Sequence, residues 1–353
     1  MSNRKLEGIS FFEKYLSVWV VLCMAAGILI GKFLPAIPQT LSMLEYAHVS
    51  IPIAILIWLM IYPMMMKVDF TSIKNVGKNP KGLYVTWVAN WLIKPFTMYA
   101  IAYVFFFIIF KALIPETLAK DYLAGAILLG AAPCTAMVFV WSYLTRGNPA
   151  YTVVQVATND LIILIAFTPI VALLLGIGGI TIPWDTLLLS VFLFVVIPLT
   201  GGMLTRSSVI RHKGVDYFNN TFLPKFSNVT ITGLLLTLII IFSFQGEIIL
   251  SNPLHIILIA VPLTIQTFFI FFISYFAAWR LKLPHEIAAP AGMIGASNFF
   301  ELSVAVAISL FGTNSPVVLA TIVGVLVEVP VMLTLVSIAN KTVSWFKVPD
   351  SAV

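Results

Sequence analysis

Five ionisable side chains stand where a purely structural apolar chain would carry none. Glu301 lies midway along the run Ile287 to Phe311, and Glu328 lies in Val317 to Ala339 just before Pro330. Asp160 lies beside Asn159 in Ala150 to Leu175, Lys94 lies four residues after Asn90 in Leu83 to Phe110, and Cys134 directly follows Pro133 in Tyr122 to Thr145. An ionised carboxyl in hydrocarbon costs several kcal/mol unless it is neutralised, so such a group is read as functional first. One deep cation, Lys94, faces three deep acids. The surplus charge must be protonated, hydrated or paired with an imported cation, which is chemistry suited to proton coupling. Asp160 at the cytoplasmic rim and a snorkelling Lys94 are equally good structural readings of those two. Asn298-Phe299-Phe300-Glu301 has the spacing of a capping box, which gives Glu301 a structural alternative. Cys134 offers a soft ligand for a thiophilic solute. At the start of a restarted half-helix its thiolate would be favoured, while as a buried cysteine it would be a small hydrophobe. Cys23, amid Val20, Val21, Leu22 and Met24, is read as packing.

These groups need a scaffold, and composition says what kind. Of 353 residues 60% are hydrophobic and 10% charged, with a mean hydropathy of +1.04. A soluble domain has nearer 45–50% and 25%. A water-soluble enzyme, a nucleic-acid-binding protein and a disordered scaffold are excluded. Polar breaks leave ten segments long enough to span a bilayer: Tyr15 to Leu34, Ala47 to Met66, Leu83 to Phe110, Tyr122 to Thr145, Ala150 to Leu175, Asp185 to Thr205, Asn228 to Gln245, Leu254 to Trp279, Ile287 to Phe311 and Val317 to Ala339. With the N-terminus cytoplasmic, 16 of the 20 Lys and Arg residues fall inside; Lys32, Lys111 and Lys120 fall outside and Lys94 lies within a span. The positive-inside rule therefore places both termini in the cytoplasm of a multi-pass plasma-membrane protein. The two cysteines lie in different spans and predict neither a disulfide framework nor a clustered metal site.

The stretch Gly176-Ile177-Gly178-Gly179 divides the segments five and five, as residues 1–178 and 179–353. An odd number per half makes any repeat inverted. One repeat is visible: Gly130-Ala131-Ala132 and Gly147 correspond to Gly295-Ala296-Ser297 and Gly312 at a constant offset of 165 residues. Both fourth and ninth segments are broken, one at Pro133, the other across Pro290, Gly292, Gly295, Ser297 and Asn298. Freed backbone groups cannot face lipid, so the breaks must be buried in protein or line a cavity. Corresponding broken helices in two halves mark a transporter's binding site. The predicted fold is all-α: ten transmembrane helices in two inverted five-helix repeats, with discontinuous helices 4 and 9 crossing.

The run Gly130 to Ser142, together with Ser297-Asn298-Phe299-Phe300-Glu301-Leu302, closely resembles the arsenical-resistance family of arsenite efflux permeases, within the bile acid, arsenite and riboflavin transporter superfamily. Trp58 to Pro63 and Asn90 to Pro95 extend the resemblance over nearly the whole chain. It implies the same ten-helix fold, export of trivalent arsenic and sometimes antimony, and Cys134 with Glu301 as the essential pair. In sodium-coupled bile-acid relatives a similar fourth segment ends in Tyr-Leu-x-Arg-Gly-Asn, here Tyr143 to Asn148. Aligned on that run, their serine and asparagine sodium ligands fall on Val138 and Phe139, which cannot replace a sodium ion's oxygen shell.

The expectation is arsenite export in exchange for protons, without a cofactor. Cys134 would be the arsenic ligand, with oxygen ligands from Glu301, Ser297 or Asn298. Asn159, Glu328 and Trp141 are counted along the path, although Trp141 would also suit packing or lipid contact. Lys94, Asp160 and Asn90 are assigned to coupling or charge balance. The rivals are a sodium-coupled importer of an organic anion and a passive channel for neutral solutes. No nucleophile, base and orienting group form a recognisable enzymatic set.

Overall fold

A computed structural model describes residues 15–46, 49–68, 80–134, 137–251 and 253–346. Both terminal cation groups, with Arg4, Lys5, Lys14 and Lys347, and also Lys74 and Lys78, lie outside the described residues. Each apolar segment read from the sequence contains helix, as backbone groups in an apolar medium must be paired within the segment.

The first half comprises α1 (Leu16–Phe33), α2 (Ala36–Met43), α3 (Ile51–Met66), α4 (Lys81–Ile109), α5 (Glu116–Gly130), α6 (Val138–Leu144) and α7 (Pro149–Ile177). A two-residue antiparallel pairing, Glu45–Tyr46 with Val49–Ser50, precedes α3. The second half comprises α8 (Trp184–Val191), α9 (Ile197–Tyr217), α10 (Ser227–Ser251), α11 (Pro253–Arg280), α12 (His285–Ala296), α13 (Phe300–Phe311) and α14 (Pro316–Lys341). Pro149 and Pro316 occupy the first positions of α7 and α14, where a missing N–H costs nothing, and Asn148 and Ser315 cap those helices.

The helices sort into two packed groups. In one, α10 lies along α1 and α3, and α3 also packs on α9. In the other, α4, α5, α7, α11 and α14 surround the short helices α12 and α13. The inner turns are almost wholly buried: Tyr122 to Gly130 of α5, Ala288 to Ala296 of α12 and Glu301 to Ser309 of α13. Backbone approach there is close. A Cβ on Gly125 would stand 2.5 Å from the Val317 carbonyl oxygen, so only glycine allows α5 to meet α14 at this point.

One local feature positions a charged side chain. Pro95 cannot donate to the ladder, and its ring would clash with the carbonyl four residues earlier. The helix answers with a π-helical stretch at Val88–Ile93 immediately before Lys94. Such bulges re-aim side chains and often occur at functional sites. The carbonyl of Lys94 is satisfied from α11, where Gln266 Nε2 donates to it at 3.0 Å and to Thr97 Oγ1 at 3.0 Å.

Candidate functional site

The two helix breaks meet. After α12 the chain leaves the helix at Ser297, which is extended with ψ 146°, and Asn298 forms an antiparallel bridge with Pro133, which follows α5. The Cys134 amide donates to the Ser297 carbonyl at 3.3 Å, and the Phe299 amide donates to the Ala132 carbonyl at 3.0 Å. Pro133 and Asn298 are 165 residues apart, which is the offset seen in the sequence. Adding or subtracting that offset turns each of the two hydrogen bonds into the other. The contact is therefore its own image under that offset. The C-terminal ends of α5 and α12, with their unpaired carbonyls, converge here and favour positive charge.

Lys94 supplies that charge. Its side chain is 1% exposed, and its Nζ donates to the Ser297 carbonyl at 2.6 Å. The Ser297 hydroxyl donates a short hydrogen bond to Glu328 Oε1, and the Asn298 backbone N–H also faces that carboxyl. Three elements, α4, α14 and the break after α12, are thus joined through a single residue, Ser297.

Glu301 occupies the first turn of α13, the favourable end for an acid, and is 5% exposed. It lines a cavity of about 390 Å³ with Met60, Met64, Lys67, Met137 and Phe139. Cys134, 4% exposed, packs with Val138, Val156 and Ile294, and Met137 and Phe139 pack against that cluster. Thiol and carboxyl are therefore neighbours through a shared wall, with Cys134 outside the residues lining the cavity.

Asn159 belongs to a separate cluster. Its Oδ1 accepts from Asn90 Nδ2 at 3.2 Å and from Trp91 Nε1 at 2.9 Å, and its own amide donates to the Gln155 carbonyl at 2.9 Å. Asp160 is fully buried, and neither carboxyl oxygen has a hydrogen-bond partner; the same holds for both side-chain polar atoms of Gln155. Trp141 is 1% exposed with its Nε1 unpartnered, and it packs in the main apolar core.

Two sequence expectations change. The N-cap of α13 is Phe299, without a side-chain cap bond, so no capping box forms and Asn298 Oδ1 is left unpartnered. The crossing explains this: Asn298 is held extended by its bridge to Pro133. Nor does Cys134 begin a half-helix. The helix resumes at Val138, so the thiol sits in the break and its amide is spent on Ser297. Sequence reasoning missed Gln266, the partner of Lys94, and Gln155. Both are polar residues deep in apolar spans, and treating uncharged deep polar groups like charged ones would have found them.

These features fit a membrane transporter whose broken helices meet inside the bundle. A family model described as the sodium bile acid symporter family matches residues 54–252, and the chain belongs to that family. It is 70% identical, over 96% of its length and 95% of the relative's, to arsenical-resistance protein Acr3 of Alkaliphilus metalliredigens strain QYMF. It is 32% identical to arsenical-resistance protein Acr3 of Corynebacterium glutamicum, over 95% of this chain and 90% of that one. With probable sodium/metabolite cotransporter BASS2 of rice, Oryza sativa subsp. japonica, identity is 27% over 70% of this chain and 51% of the relative. The protein is a multi-pass membrane transporter, not an enzyme.

Proposed function

We propose that this protein exports trivalent arsenic across the plasma membrane in exchange for protons, giving arsenic resistance. The 70% identity to an arsenical-resistance protein over nearly the full length is the observation that carries the reading. Cys134 is the soft ligand, and Glu301, Ser297 and Asn298 are the oxygen ligands available beside it. Arsenous acid is largely uncharged at neutral pH, so its transfer requires less desolvation than that of an oxyanion. A single thiol suits turnover, since several thiolates would hold arsenic as a trap. Glu301, at the end of a cavity that includes Lys67, exchanges substrate and proton from the cytoplasmic side.

The frame for this exchange is two inverted five-helix repeats, residues 1–178 and 179–353, with both termini cytoplasmic. The self-conjugate pair of hydrogen bonds at the crossing supports that frame. Asp160, Asn90 and the Lys94–Glu328 pair balance charge along the path, Asn159 and Trp141 shape it, and antimonite is an expected second substrate. The family's sodium coupling is the alternative to weigh. Val138 is buried in an apolar cluster and Phe139 packs against it, which leaves no oxygen shell at those positions.

The test is arsenite uptake into everted membrane vesicles with pH and sodium gradients imposed separately. Uptake driven by an acid interior and indifferent to sodium is the expected result. Sodium-driven uptake that ignores the pH gradient would overturn the coupling assignment, and an absence of saturable arsenite flux would overturn the substrate.

A further inference from the structure

The helix crossing gathers more acceptors than its own donors can satisfy. Ser297 offers a carbonyl oxygen and a hydroxyl oxygen, Glu328 a carboxyl, and Asn298 an Oδ1 that is buried and unpartnered. The ends of α5 and α12 add the negative ends of two helix dipoles. Such a set is built around positive charge, and in a bilayer interior that charge must come from a bound ion or from the chain itself.

Lys94 provides it from the chain. The residue is held at two points: its backbone carbonyl accepts from Gln266, and its ammonium donates to the Ser297 carbonyl. The π-helical stretch ahead of Pro95 delivers it inward, so the arrangement is built and not a chance burial. A lysine snorkelling toward the bilayer surface would leave the Ser297 carbonyl and the Glu328 carboxyl without a cation.

We propose that Lys94 is a tethered resident cation: its ammonium occupies a monovalent-cation site formed by Ser297, Glu328 and the two helix ends, and so makes an imported ion unnecessary. The residue is a positioning group, holding the break through Ser297, whose hydroxyl in turn reaches Glu328, and it touches no substrate. In a family named for sodium symport, this chain carries the cation covalently. Truncating the side chain removes the charge and leaves its acceptors in place, so Lys94→Ala contains an open site for a compact monovalent cation. Both a small primary ammonium and a sodium ion have that chemistry. The inference concerns the cation and holds whichever solute is carried.

The test therefore begins without substrate. Unfolding of the purified protein is followed with a thiol-reactive dye, which reads the two buried free cysteines, Cys23 and Cys134. Methylammonium, sodium and choline chlorides are compared at equal ionic strength. For Lys94→Ala, the midpoint should rise by about 3 °C or more with methylammonium, sodium or both, relative to choline, while the native protein shifts by less than about 1 °C. No response of the variant beyond choline, or an equal response of the native protein, would overturn the proposal. Lys94→Gln keeps an N–H donor and most of the volume, which guards against a variant that fails to fold. It should insert normally, carry flux at least tenfold below native and gain nothing from any cation. Native flux from Lys94→Gln would show that a hydrogen bond suffices and would equally overturn the proposal. In Lys94→Ala vesicles the cation that stabilises should also restore flux; stabilisation without any arsenite transport, in native protein as well, would count against the proposed substrate alone.

Discussion

Ser297→Ala separates two roles carried by one residue. The backbone carbonyl, which accepts from Lys94 Nζ and from the Cys134 amide, survives the change; the hydroxyl that donates to Glu328 does not. Ser297 is fully buried and extended, with ψ 146°, so helix propensity does not enter and no water replaces the lost donor. A hydrogen bond to a charged group is worth about 1.5–3 kcal/mol, against about 1 kcal/mol for a neutral pair. Ser303→Ala is the internal standard. Ser303 is equally buried, and its hydroxyl donates to two neutral carbonyls, Leu128 and Phe299, both at 3.0 Å. Thermal unfolding in detergent should therefore show Ser297→Ala down by roughly 5 °C and Ser303→Ala by about half that, scaling at roughly 2–4 °C per kcal/mol. Arsenite flux should fall more in the first than in the second. Equal losses, or a larger loss for Ser303→Ala, would refute the claim that the Ser297 hydroxyl serves a charged carboxyl.

Five further outcomes are expected. Cys134→Ser should abolish arsenite efflux while leaving membrane insertion and thermal stability close to native; Cys134→Ala should also be inactive, whereas native efflux from either would remove the thiol from the mechanism. Cys23→Ser should transport near the native rate. Glu301→Gln should bind in the same cavity but lose pH-driven efflux, where the native carboxyl converts each pH unit into about 1.4 kcal/mol per proton exchanged, and a pH-dependent rate in the Gln variant would exclude Glu301 as the exchanging group. An impermeant amine reagent should modify Lys213 only from the cytoplasmic face and Lys120 only from outside, both side chains being exposed; the reverse pattern would invert the topology. Met137→Ala should raise the rate at which a small thiol reagent reaches Cys134 by about tenfold, since Met137 lines the cavity and packs against the thiol's cluster, and an unchanged rate would put the route elsewhere.

The crossing was legible because its signals are local and exclusive. Proline and glycine break a helix whatever surrounds them, and the two breaks share one offset in the sequence. The bridge from Pro133 to Asn298 falls on that offset to the residue. The deep charges were legible for a similar reason: the bilayer tolerates none without a purpose. What sequence could not supply was the partner of each. Asn159 and Lys94 are read alike as deep polar groups, yet the first turns to Asn90 and Trp91 while the second reaches 203 residues along the chain to Ser297. The capping-box spacing misled because a tertiary bridge claimed Asn298 before its side chain could cap, and no local pattern records that competition.

The partnership at Ser297 also says how substrate and charge can be coupled. Its carbonyl accepts from the Cys134 amide and from the Lys94 ammonium at once, and its hydroxyl reaches Glu328. The amide bond is the longer of the two, 3.3 Å against 2.6 Å, so the ammonium holds the carbonyl more tightly than the backbone does. If Cys134 is the arsenic ligand, as proposed, a metalloid taking its sulfur must displace the apolar contacts with Val156 and Ile294, and any turn of the cysteine backbone pulls on the same carbonyl. Rotation of that carbonyl changes what Lys94 can neutralise. On that reading the charge on Glu328, which the Ser297 hydroxyl reaches, would differ between the loaded and empty states. A ligand shifts an equilibrium only through a difference in its interactions with two states, and this shared oxygen is where such a difference would arise.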